Sequence, residues 1–184
     1  DSTTVDNEYT ENPEQKAKRL KFITSASAIR NKAQEAEQLL DKPLTDVKLN
    51  DEQARELEEK LSQNLAIVNS AIAALIQSKT DRQNPNYDVA KQAIETVSDL
   101  IPGIITDSNA LSASCKDEAS RQAMLKDIHK WCDAIRAVCD SAGSHDLAEF
   151  VSSAQQFAVS SNRLNFVFKP RKISPKEQQV LQLS

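Results

Sequence analysis

The chain has 184 residues and a formal net charge of −4, with 39% hydrophobic, 27% charged and 4% aromatic residues and only two glycines. A chain of this size closes a core without disulfides or a structural metal, and this composition points to a core of Ala, Leu, Ile and Val between packed helices. The acidic balance excludes generic nucleic-acid binding, which rests on clustered Lys and Arg, and no run of about eighteen apolar residues marks a transmembrane span.

From the amino end, residues 1–12 (DSTTVDNEYTEN) read as a flexible acidic segment, and the five-helix bundle is expected over 13–168. Asn12 followed by Pro13 starts the first helix, because Pro at the first helical position gives up an amide that has no partner there. Its apolar stripe is read as Leu20, Ile23, Ile29, Ala33, Ala36 and Leu40, and Asp41-Lys42-Pro43 ends it. Asn50 caps the second helix with Gln53 placed to return the contact. This helix runs to about Lys79, and between Leu65 and Ile76 only Asn69 and Ser70 are polar. A helix so uniformly apolar is expected at the centre of a bundle, surrounded by the others.

The third segment, from near Pro85, contains Pro102 and Gly103, which mark a turn or a kink. The first two helices each span roughly 42 Å at 1.5 Å per residue; an unbroken third helix from Pro85 to Ser114, kinked at Pro102, matches that length. Ser114 with Asp117 opens the fourth helix, whose apolar stripe is Met124, Ile128, Trp131, Cys132, Ile135 and Val138. Gly143 ends it. Ser144 is read as the cap of the fifth helix, with Leu147, Val151, Ala154, Phe157, Ala158 and Leu164 facing the core and Asp146 complementing the helix dipole. Phe166 and Phe168 are expected to cover the end of the bundle, and 169–184, with Lys169, Arg171, Lys172 and Lys176, reads as a basic linker or tail. Short loops between matched helices predict an all-α, up-and-down antiparallel bundle of about five long helices.

His129, Cys132 and Asp133 share one helical turn at metal-ligand spacing, but Cys132 and Cys139 also lie on the apolar stripe, where a free thiol packs as a small hydrophobe. No metal, cofactor or catalytic residue is therefore assigned, and no enzymatic activity is expected. The three cysteines Cys115, Cys132 and Cys139 read as reduced thiols, which places the chain in the cytoplasm.

The most informative spacing lies in the two central helices. Leu61, Leu65, Val68, Ile72, Leu75 and Ile76 form a continuous stripe, and Val89, Ala93, Val97, Leu100 and Ile101 repeat nearly the same register. The segments "LSQNLAIVNSAIAALIQ" and "VAKQAIETVSDLIPGII" are similar to helices of the talin rod, within the talin, vinculin and alpha-catenin group of adhesion proteins. The sequence departs from the family's vinculin-binding pattern at Leu65 and Lys79, where small residues are typical, and at Asn86, where the second segment lacks its leading leucine. The resemblance implies a cytoskeletal and adhesion scaffold, one module of a longer chain, linked indirectly to actin. It also implies a concealed ligand helix that force exposes to a vinculin-like head domain. The stripe on Leu61–Ile76 is the first candidate for that partner-binding helix, and the Val89–Ile101 stripe is the second. The alternative is a signalling adaptor bundle of the focal-adhesion-targeting type, which binds short amphipathic helices while it stays folded.

Overall fold

The computed structural model describes residues 11–42, 44, 47–81 and 84–168; the expectations for the acidic residues 1–10 and the basic segment 169–184 lie outside them. The described residues form five α-helices and no strand: α1 (Pro13–Glu37), α2 (Asp51–Ser78), α3 (Tyr87–Ala113), α4 (Glu118–Ser141) and α5 (Leu147–Val167), with one 3-10 turn at Gln38–Asp41.

Each amino terminus is set by a local polar side chain that satisfies an amide the helix cannot. The Gln15 and Val89 amides donate to Asn12 and Asn86 at 2.7 and 3.1 Å. At α2 the capping box is complete, Gln53 N–H donating to Asn50 Oδ1 at 2.7 Å and Asn50 N–H to Gln53 Oε1 at 3.1 Å. Asp117 rather than Ser114 caps α4, accepting from the Ser120 amide at 3.3 Å. The cap of α5 is Asp146, with Glu149 N–H donating at 3.3 Å. Ser144 instead accepts from the Asp146 amide at 3.0 Å, so it shapes the turn one step before the helix. Gly143 serves close packing: a Cβ there would stand 2.9 Å from Ile23 Cδ1.

α3 is continuous through Pro102. Pro102 is solvent-exposed, so its ring sits on the outer face, where the missing intrahelical bond is least costly.

The arrangement of the helices corrects one expectation. Lys18 reaches Asp88 at 3.1 Å and Ser25 reaches Glu95 at 3.4 Å, a constant offset that makes α1 and α3 parallel neighbours. Packing closes a ring in the order α1, α3, α2, α5, α4, with α3 also touching α4. α2 therefore packs chiefly on α3 and α5 and keeps a solvent face, including Ala66, Ala73 and Ile67, the last 46% exposed. The most enclosed helix is α3, whose second half buries a broad face, from Ile104 and Ile105 through Asp107, Ser108 and Asn109 to Ser112, and leaves Pro102 and Thr106 outside.

The core seams follow a four-three step. In α1 the seam is Phe22, Ala26, Ile29, Ala33, Ala36 and, beyond the helix, Leu40; Leu20 is 49% exposed, so the seam lies beside the expected stripe at that end. In α5 it is Phe150, Ala154, Phe157, Ser161, Leu164 and then Phe168. Phe150 was absent from the predicted stripe, and Leu147 and Val151 are only partly covered. Phe168 closes the bundle end as expected, whereas Phe166 is 72% exposed beneath the Arg163 guanidinium. Trp131 is wholly buried, its indole donating to Ser161 Oγ at 2.9 Å and its ring tilted on Phe157 at 5.8 Å.

Candidate partner-binding helices

The α2 stripe is assembled as one face. Leu61, Leu65, Val68, Ile72 and Leu75 are each at most 2% exposed, and Ile76 is partly buried against the same core. At roughly 1.5–3 kcal/mol per fully buried aliphatic side chain, this stripe is a large share of what holds α2 in place. The α3 stripe is less uniform. Ala93, Val97 and Ile101 are buried, Leu100 is partly buried, and Val89 is 38% exposed. Ile94, Ile104 and Ile105 complete the face that α3 presents to the core. The structure thus brings the first candidate set together and splits the second between interior and surface.

Polar contacts add to the hydrophobic seam at three heights along α2. Near its amino end Lys60 Nζ lies 3.8 Å from Asp107 Oδ2 on α3. At mid-length Asn69 Nδ2 donates to Asn162 Oδ1 on α5 at 2.8 Å. At the carboxyl end Lys79, 7% exposed, donates to the carbonyls of Ala142 and Ser144 at 3.1 and 3.4 Å, with its ammonium 4.2 Å above the Phe150 ring. The Ala142 carbonyl is an orphan of the α4 carboxyl terminus, where a cation is favoured, and Ser144 lies in the turn that follows. Burial, and then the Arg19 charge, hold the Lys79 pKa down to about 8.

The Lys60–Asp107 contact is of a different quality. Asp107 is 7% exposed, its Oδ2 has no hydrogen-bond partner, and Lys60 is 62% exposed. Burial raises the Asp107 pKa, against which the Lys60 charge works only in part. A raised folded-state pKa means stability present at low pH and lost as pH rises through that value, so at pH 7 the carboxylate is a cost. Asp107→Asn is expected to raise stability by about 1 kcal/mol, or a melting shift of about 2–4 °C in a chain of this size. A melting temperature at pH 7 that falls in the variant would show that the carboxylate has a partner in solution worth more than its desolvation.

The His129, Cys132 and Asp133 trio does not converge. His129 Nδ1 faces Glu37 Oε2 on α1 at 2.6 Å, Asp133 is taken by Arg136, and Cys132 is wholly buried. Arg136 also donates to Glu37 Oε1 at 2.5 Å. Burial alone would raise the Glu37 carboxyl; the hydrogen bonds from Arg136 and His129 outweigh it and set its pKa below the ordinary value. Burial pushes the Cys132 and Cys139 thiols up to about 12, which leaves them protonated and poor as ligands or nucleophiles. Among the described residues no group of three or more His, Cys, Asp and Glu is placed to hold a metal ion, and no helix is long and apolar enough to cross a membrane.

Sequence reasoning did not find the roles of Lys79, Asp107 and Glu37. Lys79 had a signal, as a cation at the last turn of an apolar helix. Asp107 and Glu37 had none, because their partners stand 47 and 92 or more residues away in the chain.

No family model, curated protein or solved structure matches this chain.

Proposed function

We propose that this chain is a non-enzymatic scaffold module of the cytoskeletal and adhesion type, similar to a talin rod bundle, in which α2 is a concealed partner-binding helix. The observation that carries this reading is the position of α2. Leu61, Leu65, Val68, Ile72 and Leu75 are covered, yet the helix packs chiefly on two neighbours, α3 and α5, with solvent behind it. Such a helix can leave while α1, α3, α4 and α5 keep their mutual contacts. Once free, a stripe of Leu61, Leu65, Val68, Ile72 and Leu75 has the spacing that an amphipathic helix uses to enter a hydrophobic groove. The same apolar surface serves the resting fold and the partner in turn, so the two states exclude one another.

An isolated peptide of residues 58–80 is expected to bind a vinculin-type head domain tightly, and the intact bundle weakly. For an opening cost of about 4 kcal/mol the two affinities differ by roughly a thousandfold, since a competent state populated at fraction f weakens apparent affinity by 1/f. A Leu61→Ala, Leu75→Ala bundle should close most of that gap. The measurement is one titration series of peptide, bundle and loosened bundle against the same head domain. A peptide that does not bind removes the concealed-ligand reading; equal binding by peptide and bundle removes the gate.

A further inference from the structure

We infer that α2 opens from its amino end and hinges at Lys79, so that its stripe is uncovered in the order Leu61, Leu65, Val68. The inference rests on the reading of α2 as a releasable helix and gives that release a direction.

The two ends of α2 are built differently. None of residues 51–60 is buried, and only Ala54 and Leu57 among the apolar side chains there lean on the core. From this stretch Lys60 reaches Asp107 on α3 at 3.8 Å, a contact that leaves Asp107 Oδ2 buried without a hydrogen bond. Lifting this end loses little packing and returns a desolvated carboxylate to water, so part of the cost of opening is offset where opening starts.

The carboxyl end has the opposite construction. Ile72, Leu75, Ser78 and Lys79 are all buried, and Ser78 Oγ donates to the Leu75 carbonyl at 2.7 Å. The Asn86 amide donates to the Ser78 carbonyl at 2.7 Å, tying the end of α2 to the start of α3. Lys79 spans to the α4–α5 turn through two carbonyls and the Phe150 ring. Releasing this end strands a buried ammonium's partners and breaks contacts with three other helices at once. Between the two ends, the Asn69–Asn162 bond at 2.8 Å is the natural place for opening to pause.

Native-state amide hydrogen exchange on the full chain, followed residue by residue at low denaturant, reads this directly. Amides from Leu61 to Val68 should exchange at least about tenfold faster than those from Ile72 to Ser78, through a common opening that grows with denaturant. Asp107→Asn should slow the amino-half amides about threefold to tenfold and leave the carboxyl half unchanged. Lys79→Met should speed the carboxyl half until the gradient along α2 disappears. Uniform exchange along α2, or faster exchange at the carboxyl half, overturns the direction; a gradient unaltered in Lys79→Met overturns the hinge. No partner enters this experiment, so failure of the head-domain titration and failure of the gradient are separate results.

Discussion

Val68→Asp is expected to destabilise the bundle by about 3–5 kcal/mol, and Ile67→Asp, one residue away, by no more than about 0.5 kcal/mol. Val68 has no exposed surface and sits between Leu65 and Ile72 on the stripe, whereas Ile67 is 46% exposed on the solvent side of the same helix. A carboxylate at Val68 gives up its hydration with no cation within the seam, so the protein must unfold locally, shift the helix or protonate the group. At position 67 the new charge stays in water. The difference should appear as a fall of about 10 °C in melting temperature for one variant and a near-superimposable curve for the other. Equal effects would mean that α2 is rotated or absent from the packed state in solution, and the concealed-stripe proposal would go with it. The pair also separates burial from helix propensity, since both exchanges replace a β-branched residue by aspartate in the interior of one helix.

Stability should fall steeply as pH rises above about 9. Burial disfavours the thiolate and pushes the folded Cys132 and Cys139 thiols up to about 12, while in the unfolded chain they ionise near the ordinary value of 9.0. Between these values the unfolded state has fewer bound protons than the folded one, so the slope of unfolding free energy with pH is negative. The stabilisation is complete below pH 9 and drains away toward pH 12. For Cys132, which is wholly buried, three units correspond to at most about 4 kcal/mol. Tyr87, raised mainly by burial, pulls in the same direction at higher pH. Lys79 acts with the opposite sign. Its folded pKa of about 8 lies below the ordinary 10.5, so its burial costs most below pH 8 and the cost is relieved as pH rises to 10.5. The expected profile is a shallow rise or plateau from pH 8 to 9 and then a decline. Urea unfolding at intervals from pH 7 to 10.5 measures it. In a Cys132→Ala, Cys139→Ala chain the alkaline decline should flatten while the Lys79 rise persists; an unchanged decline would place the thiols in contact with solvent.

Much of the architecture follows from short-range rules. The Asn12-Pro13 and Asn50 starts are visible in the chain because a cap acts over three residues, and the structure keeps them; the third helix was read only as starting near Pro85, and the structure supplies its Asn86 cap. The α2 stripe is legible for a similar reason: six large aliphatic residues at a four-three step can form only one face. The weaker seams are harder to read. In α1, alanines at 26, 33 and 36 supply half the seam, and alanine is compatible with either face, so Leu20 could not be distinguished from Phe22 by pattern alone. Leu20 lies outside because the α1–α3 contact turns that side of the helix to water.

What the sequence alone determined about this protein is its class and its pieces: an all-α chain, five helices with nearly correct limits, and a fully apolar stripe on α2. Periodicity and capping decide these, and both act within one or two turns. Only the tertiary structure decided which helix is enclosed. α2 is the more apolar to the eye, yet α3 occupies the interior position and takes Asp107, Ser108, Asn109 and Ser112 into it. Helix composition limits how much surface can be buried, while neighbours decide how much is. The α1–α3 parallel contact, the Lys79 bridge to the α4–α5 turn and the Glu37 link to His129 and Arg136 join residues about 60 to 100 positions apart. Their energies depend on desolvation and on the spatial order of the helices, which no local pattern encodes.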